Sequence, residues 1–171
     1  MLNPRPSVAF GVQKAETHIQ WLPERPCLLI VTPDVTLETT ELRFPSRIEA
    51  VDEAAAAVAE FMNRLGIGDD VAFGVDMAIR EAVTNAVIHG NKLDGAKVVG
   101  LKLRNTPEGF EIIVHDQGSG FNPNEVPDPT IDENLLKTSG RGIFFMRNFM
   151  DEVEWSADPS GGTSVRMIKK L

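Results

Sequence analysis

Tyrosine is absent from the 171 residues, and the one cysteine is Cys27. A single thiol excludes an intrachain disulfide and every metal motif built on paired cysteines. Basic residues are outnumbered: 17 Lys and Arg stand against 25 Asp and Glu, a net charge of −8. Such a chain repels phosphate backbones, which argues against direct nucleic-acid binding. No apolar run approaches the roughly 20 residues needed to span a bilayer, so no membrane span is expected. The opening MLNPRPSVAFGVQK has no continuous apolar stretch, so no signal peptide is expected either. The expectation is a cytoplasmic protein. The chain is 42% hydrophobic and 25% charged, enough apolar material for one domain with a real core.

Six of the eleven prolines fall in the first 45 residues, and no helical period is visible there. Residues 1–40 are read as a partly ordered extension and 41–171 as the main domain. CLLIV (27–31) and TTELRF (39–44) read as short strands. SRIEAVDEAAAAVAEFMNRL (46–65) predicts a helix, with Ser46 as N-cap, Glu49 completing a capping box, and Gly66 or Gly68 as the stop. DDVAFGVDMAIREAVTNAVIHG (69–90) predicts a second, capped by Asp69 or Asp70 and ended by Gly90. KVVGLKLRN (97–105) and GFEIIVHD (109–116) alternate as strands around a turn. Residues 117–139 form a long loop. GIFFMRNFM (142–150) is helical, and strands at 151–158 and from Thr163 follow. Grouped strands predict an α+β, two-layer sandwich: a mixed, mainly antiparallel sheet with helices on one face.

Four places carry chemistry. Glu81, Asn85 and His89 are four residues apart, so on a helix they form a polar stripe about 12 Å long beside the apolar positions Val75, Ile79, Ala82, Val83 and Ala86. A solvated helix face accounts for the stripe equally well. The amide oxygen of Asn85 is a hard ligand suited to Mg²⁺. In DQGSGF (116–121), Gly118 and Gly120 let the backbone turn tightly, and Asp116 at the strand end can accept a hydrogen bond from an exocyclic amine such as that of adenine. An ordinary strand-to-loop turn is the alternative. SGRGIFFM (139–146) opens a helix with Gly140 and Gly142, a ready anion site, with Lys137 and Arg141 adding positive charge. GGT (161–163) is a turn into the last strand. His115 neighbours Asp116 in a strand and points the other way, which fits packing or surface rather than catalysis.

The order Glu-x-x-x-Asn-x-x-x-His, Asp-x-Gly-x-Gly-Phe, Gly-Arg-Gly-Ile, Gly-Gly-Thr resembles the ATP-binding domain shared by gyrase, histidine kinases and MutL, the GHKL superfamily or Bergerat fold. REAVTNAVIHGN, DQGSGF and GRGIFFMRNFMDEVEW are most similar to the anti-sigma-factor serine/threonine kinases, over residues 41–171. The resemblance implies ATP and Mg²⁺ as cofactors. Asn85 would hold the metal, and Glu81 would orient or deprotonate the attacking hydroxyl. A glutamate with a pKa near 4.3 is a weak base, but phosphoryl transfer depends mostly on positioning. Asp116 would read adenine with support from Thr163, and Gly118 and Gly120 would give the base room. His89 would lie near the phosphates. Gly140 and Gly142 would present amides to them, and 122–139 would be a lid. The implied partners are a STAS-type anti-anti-sigma protein carrying the target serine and a sigma factor; a homodimer is compatible with this. One departure concerns the sigma factor: family members often carry a basic residue in the first helix, and DEAAAAVAEF has no arginine. The alternatives are a non-catalytic, ATP-dependent protein-binding module and a detached histidine-kinase-like ATPase domain. The second lacks a phosphoacceptor helix, since His18 is followed closely by Pro23.

Overall fold

The computed structural model describes residues 38–119, 141–157 and 161–171, and the backbone of 9–12. The strand expected at 27–31 lies outside these residues, as do Gly120, Lys137, Gly140 and the lid expected over 122–139. Six strands run in the order β1-β2-β3-β4-β6-β5, and every ladder among the described residues is antiparallel. β1 (Ala9–Val12), inside the expected extension, pairs with β2 (Glu38–Pro45); β3 (Val98–Thr106) and β4 (Gly109–His115) form a hairpin; β5 (Glu152–Ala157) closes the other edge against β6 (Thr163–Lys169). The α+β sandwich read from the sequence is the observed architecture. Among the described residues no helix is long and apolar enough to cross a membrane.

Strand alternation sets the two faces. Leu42, Leu101, Val114, Val165 and Trp155 are successive cross-strand partners, and they form one apolar row running across five strands. Three helices cover that row: α1 (Ala50–Leu65), α2 (Asp69–Thr84) and α3 (Arg141–Phe149), with α2 between the other two. Phe61 of α1 stacks on Phe110 of β4 at 5.5 Å, both fully buried. Burying a phenylalanine stabilises by about 1.5–3 kcal/mol, so this pair pins α1 to the sheet. Val75, Ile79, Ala82, Val83 and Ala86 are all buried, as the helical period predicts.

The helix starts differ from the sequence reading. Ser46 is not a cap: α1 begins at Ala50, and no side chain caps it. The Ser46 N–H donates to the Lys97 carbonyl at 3.0 Å, so at this point the chain is still bound to β3. The first amides of α1 find backbone carbonyls instead, Ala50 on Arg47 and Val51 on Ile48, both at 3.0 Å. Asp69 and Asp70 lie in the first turn of α2, where their charge favours the helix dipole, and Gly68 is the N-cap. Gly66 ends α1 as expected, in the left-handed conformation with φ 69°.

On the face away from the helices, Glu111 is buried between two arginines. Arg166 Nε donates to its Oε1 at 2.6 Å, and Arg104, its cross-strand partner, donates to Oε2. Burial alone pushes the Glu111 carboxyl up, but the two guanidinium hydrogen bonds outweigh it and hold it below the ordinary value. A depressed folded-state pKa contributes stability that is present above the unfolded value, about 4.3, and lost as pH falls through the folded one. Glu111→Gln is therefore expected to flatten the acid limb of stability below about pH 4.3. At pH 7 it should cost about 1–2 kcal/mol, less than for a sealed pair, because both arginines are one third exposed. Urea unfolding of both proteins from pH 3 to 7 checks this; parallel curves would refute it.

Candidate functional site

The polar stripe does not run on one continuous α-helix. From Asn85 to Gly90 the chain forms a π-helical turn, with the Asn91 N–H reaching back to the Ala86 carbonyl at 2.8 Å. Such wider turns are rare and occur mostly at functional sites. The change of pitch shifts His89 relative to Asn85. His89 is exposed, whereas Glu81 and Asn85 are half-buried. Neither the Glu81 nor the Asn85 side chain has a hydrogen-bond or ion-pair partner among the described residues.

The pitch change brings the helix end onto the DQG turn. A Cβ on Gly90 would lie 2.6 Å from Asp116 Oδ2. A Cβ on Gly118 would overlap the Gly90 carbonyl, and one on Gly162, at φ 101°, would overlap the Asp116 carbonyl. Three chain segments therefore meet at Asp116, each at a glycine. Its carboxylate is buried, and Oδ1 accepts the N–H groups of Gly118 at 2.8 Å and Thr163 at 3.2 Å. The Asp116 N–H donates to the Thr163 carbonyl at 2.9 Å. Oδ2 has no hydrogen-bond partner among the described residues. An acceptor that no described residue fills fits a ligand that brings a donor. Thr163, expected to support base reading through its hydroxyl or a water, makes these two contacts through its backbone.

Glu81 meets the third motif. A Cβ on Gly142 would lie 2.5 Å from Glu81 Oε2, so the carboxylate rests directly on the first turn of α3, where the helix dipole favours negative charge. Arg141, beside it, is exposed. Glu81 on α2, Asn85 on the π-helical turn, Gly142 at the start of α3, and Asp116, Gly118 and Thr163 at the strand ends are the expected site residues that the described structure contains, with His89 and Arg141 exposed beside them in the chain. His115 points to the opposite sheet face, where its Nδ1 is 3.3 Å from Ser164 Oγ, in agreement with the non-catalytic reading. Asn91 was not singled out from the sequence, yet it is fully buried at this junction. A polar residue directly after a helix-ending glycine was the available signal.

The family model described as histidine kinase-like ATPase domain matches residues 44–169. The chain belongs to this family. Among its relatives, the anti-sigma F factor of Clostridium perfringens (strain SM101 / Type A) is 33% identical over 132 residues, 76% of this chain and 94% of that protein. The anti-sigma F factors of Oceanobacillus iheyensis and Anoxybacillus flavithermus are 34% and 33% identical, each with 90% of its length covered. As a histidine kinase-like ATPase domain, the chain has an ATP site.

Proposed function

We propose that this chain is an ATP-dependent protein serine/threonine kinase of the anti-sigma type, which phosphorylates a STAS-type anti-anti-sigma partner in the cytoplasm and also engages a sigma factor. The observation that carries the kinase reading is the seat of Glu81: a carboxylate with no side-chain partner among the described residues, resting on Gly142 at the start of α3, one helical turn from Asn85. The relatives' name, anti-sigma F factor, supports the partners.

The residues fit ATP and Mg²⁺. Asp116 Oδ2, which has no donor among the described residues, can accept the adenine amine, and the missing Cβ of Gly90 leaves Oδ2 uncrowded on that side. The Asn85 amide oxygen, uncommitted among the described residues, is available to the metal. When bound, Mg²⁺ neutralises phosphate charge. Glu81 holds the acceptor hydroxyl by a hydrogen bond and takes its proton as the oxygen bonds to the γ-phosphorus and the bond to the β–γ bridging oxygen breaks, with ADP as the leaving group.

Single-turnover transfer of the labelled γ-phosphate from ATP to a STAS-type protein tests this. Label on a partner serine or threonine is the expected result. ATP-dependent binding of the partner without transfer would leave a binding module and overturn the kinase reading. Asn85→Ala is expected to remove the Mg²⁺ dependence of ATP affinity. Calorimetry with and without Mg²⁺ should then give values within about threefold of each other for the variant, against about tenfold or more apart for the wild type.

A further inference from the structure

Asn91 is a fully buried amide with both of its functions in use. Its Oδ1 accepts the Gln117 N–H at 2.8 Å, and its Nδ2 donates to the Val98 carbonyl at 3.0 Å. Gln117 Oε1 accepts the Val98 N–H at 2.8 Å and closes the ring. Three segments are joined: the end of the π-helical turn, the first residue of β3, and the turn after β4. Asn91 is the buried member and Gln117 lies at the surface, so loss of the Asn91 amide leaves the Gln117 N–H and the Val98 carbonyl without this partner.

The peptide that Asn91 grips is the one between Asp116 and Gln117. Its N–H is held by Asn91, and its carbonyl is packed against Gly162. The Asp116 N–H is held by Thr163, and Oδ1 by two amides. Rotation of the Asp116 side chain is thereby stopped, with Oδ2 on the side of Gly90, the chain neighbour of Asn91. The same two-residue step thus shapes the space beside Oδ2 and fixes the peptide behind it.

We propose that Asn91 is a positioning residue for base recognition: it fixes the Asp116–Gln117 peptide so that Oδ2 is presented to the exocyclic amine of a 6-aminopurine nucleotide. The proposal rests on the reading of Asp116 as the base acceptor and adds the group that sets its direction. A merely structural Asn91 would lower stability and weaken every nucleotide alike. A positioning Asn91 acts selectively on ligands that carry the amine.

The test compares ATP with inosine triphosphate, which has a 6-oxo group in place of the amine, on the full chain by calorimetry. Wild type is expected to prefer ATP by about tenfold or more, the scale of a hydrogen bond to a charged acceptor. Asn91→Ala should reduce that preference to less than about threefold, mainly through weaker ATP binding. Asn91→Ser keeps a polar atom in the cavity but is too short to hold Gln117, and should behave in the same way if Asn91→Ala does not fold. Gln117→Ala keeps the backbone N–H that Asn91 grips and should retain the preference. A wild-type preference that survives in folded Asn91→Ala or Asn91→Ser overturns the proposal alone. Equal affinities in the wild type overturn it together with the reading of Asp116.

Discussion

Replacing Glu81 by glutamine is expected to lower single-turnover phosphate transfer by about 10²-fold or more, with ATP affinity changed by less than about threefold. Glutamine has nearly the same shape and can still hydrogen-bond, but it cannot take a proton or orient a hydroxyl through a negative charge. The structure makes this substitution informative. The Glu81 side chain has no ion-pair or hydrogen-bond partner among the described residues, so removing its charge breaks no internal salt bridge there. Its seat against Gly142 is steric, and glutamine occupies the same volume. Thermal stability of the free protein should therefore stay close to wild type. Loss of the favourable interaction with the α3 dipole costs at most about 1 kcal/mol. Equal transfer rates for the two proteins, with transfer readily measured, would take the catalytic role from Glu81. A parallel drop in ATP affinity would make it a binding group.

How much of this was legible in the sequence depends on which force dominates at each position. Strands β3, β4 and β6 were readable because alternation is a property of the chain itself, and a row such as Leu101, Val114 and Val165 follows from period two. The apolar side of α2 was readable for the same reason at period 3.6. The start of α1 was not. Ser46 with Glu49 has the pattern of a capping box, but the tertiary bond from Ser46 to Lys97 holds the chain in the sheet until Arg47. Local capping chemistry yields there to a cross-element hydrogen bond. The π-helical turn was also hidden, because a helix-compatible sequence says nothing of one extra residue per turn. Its cause is long-range: Gly90 has to reach Asp116. Glu111 looked like any outward-facing strand residue, and its partners Arg104 and Arg166 come together only once β3, β4 and β6 are side by side. At the candidate site, residue types and order singled out Glu81, Asn85 and Asp116. The group proposed to hold Asp116 in place, Asn91, became visible only through its buried amide and the ring of hydrogen bonds it makes.

Gly90→Ala is expected to weaken ATP binding by about 10²-fold, the equivalent of losing one good hydrogen bond to a charged acceptor. The reason is space rather than backbone conformation. Gly90 is not among the residues with positive φ, and alanine suits its helical backbone. Its new methyl group would lie 2.6 Å from Asp116 Oδ2 and closer still to Cγ. Asp116 cannot swing aside freely, because Gly118 and Thr163 hold Oδ1. Either the carboxylate leaves those two amides, or the helix end backs away and takes Asn91 with it. Both outcomes misplace Oδ2. Overpacking of this kind costs about 1–3 kcal/mol of stability, so the variant should still fold. Gly66→Ala is the control. Gly66 has φ 69° and open space around it, so alanine there meets backbone strain of about 1–2 kcal/mol and no neighbour. Both variants should lose similar stability in urea, and Gly66→Ala should bind ATP as the wild type does. If Gly90→Ala retained wild-type affinity, adenine would not be read at Asp116 Oδ2. If Gly66→Ala lost affinity equally, the effect of Gly90→Ala would reflect stability and not the site.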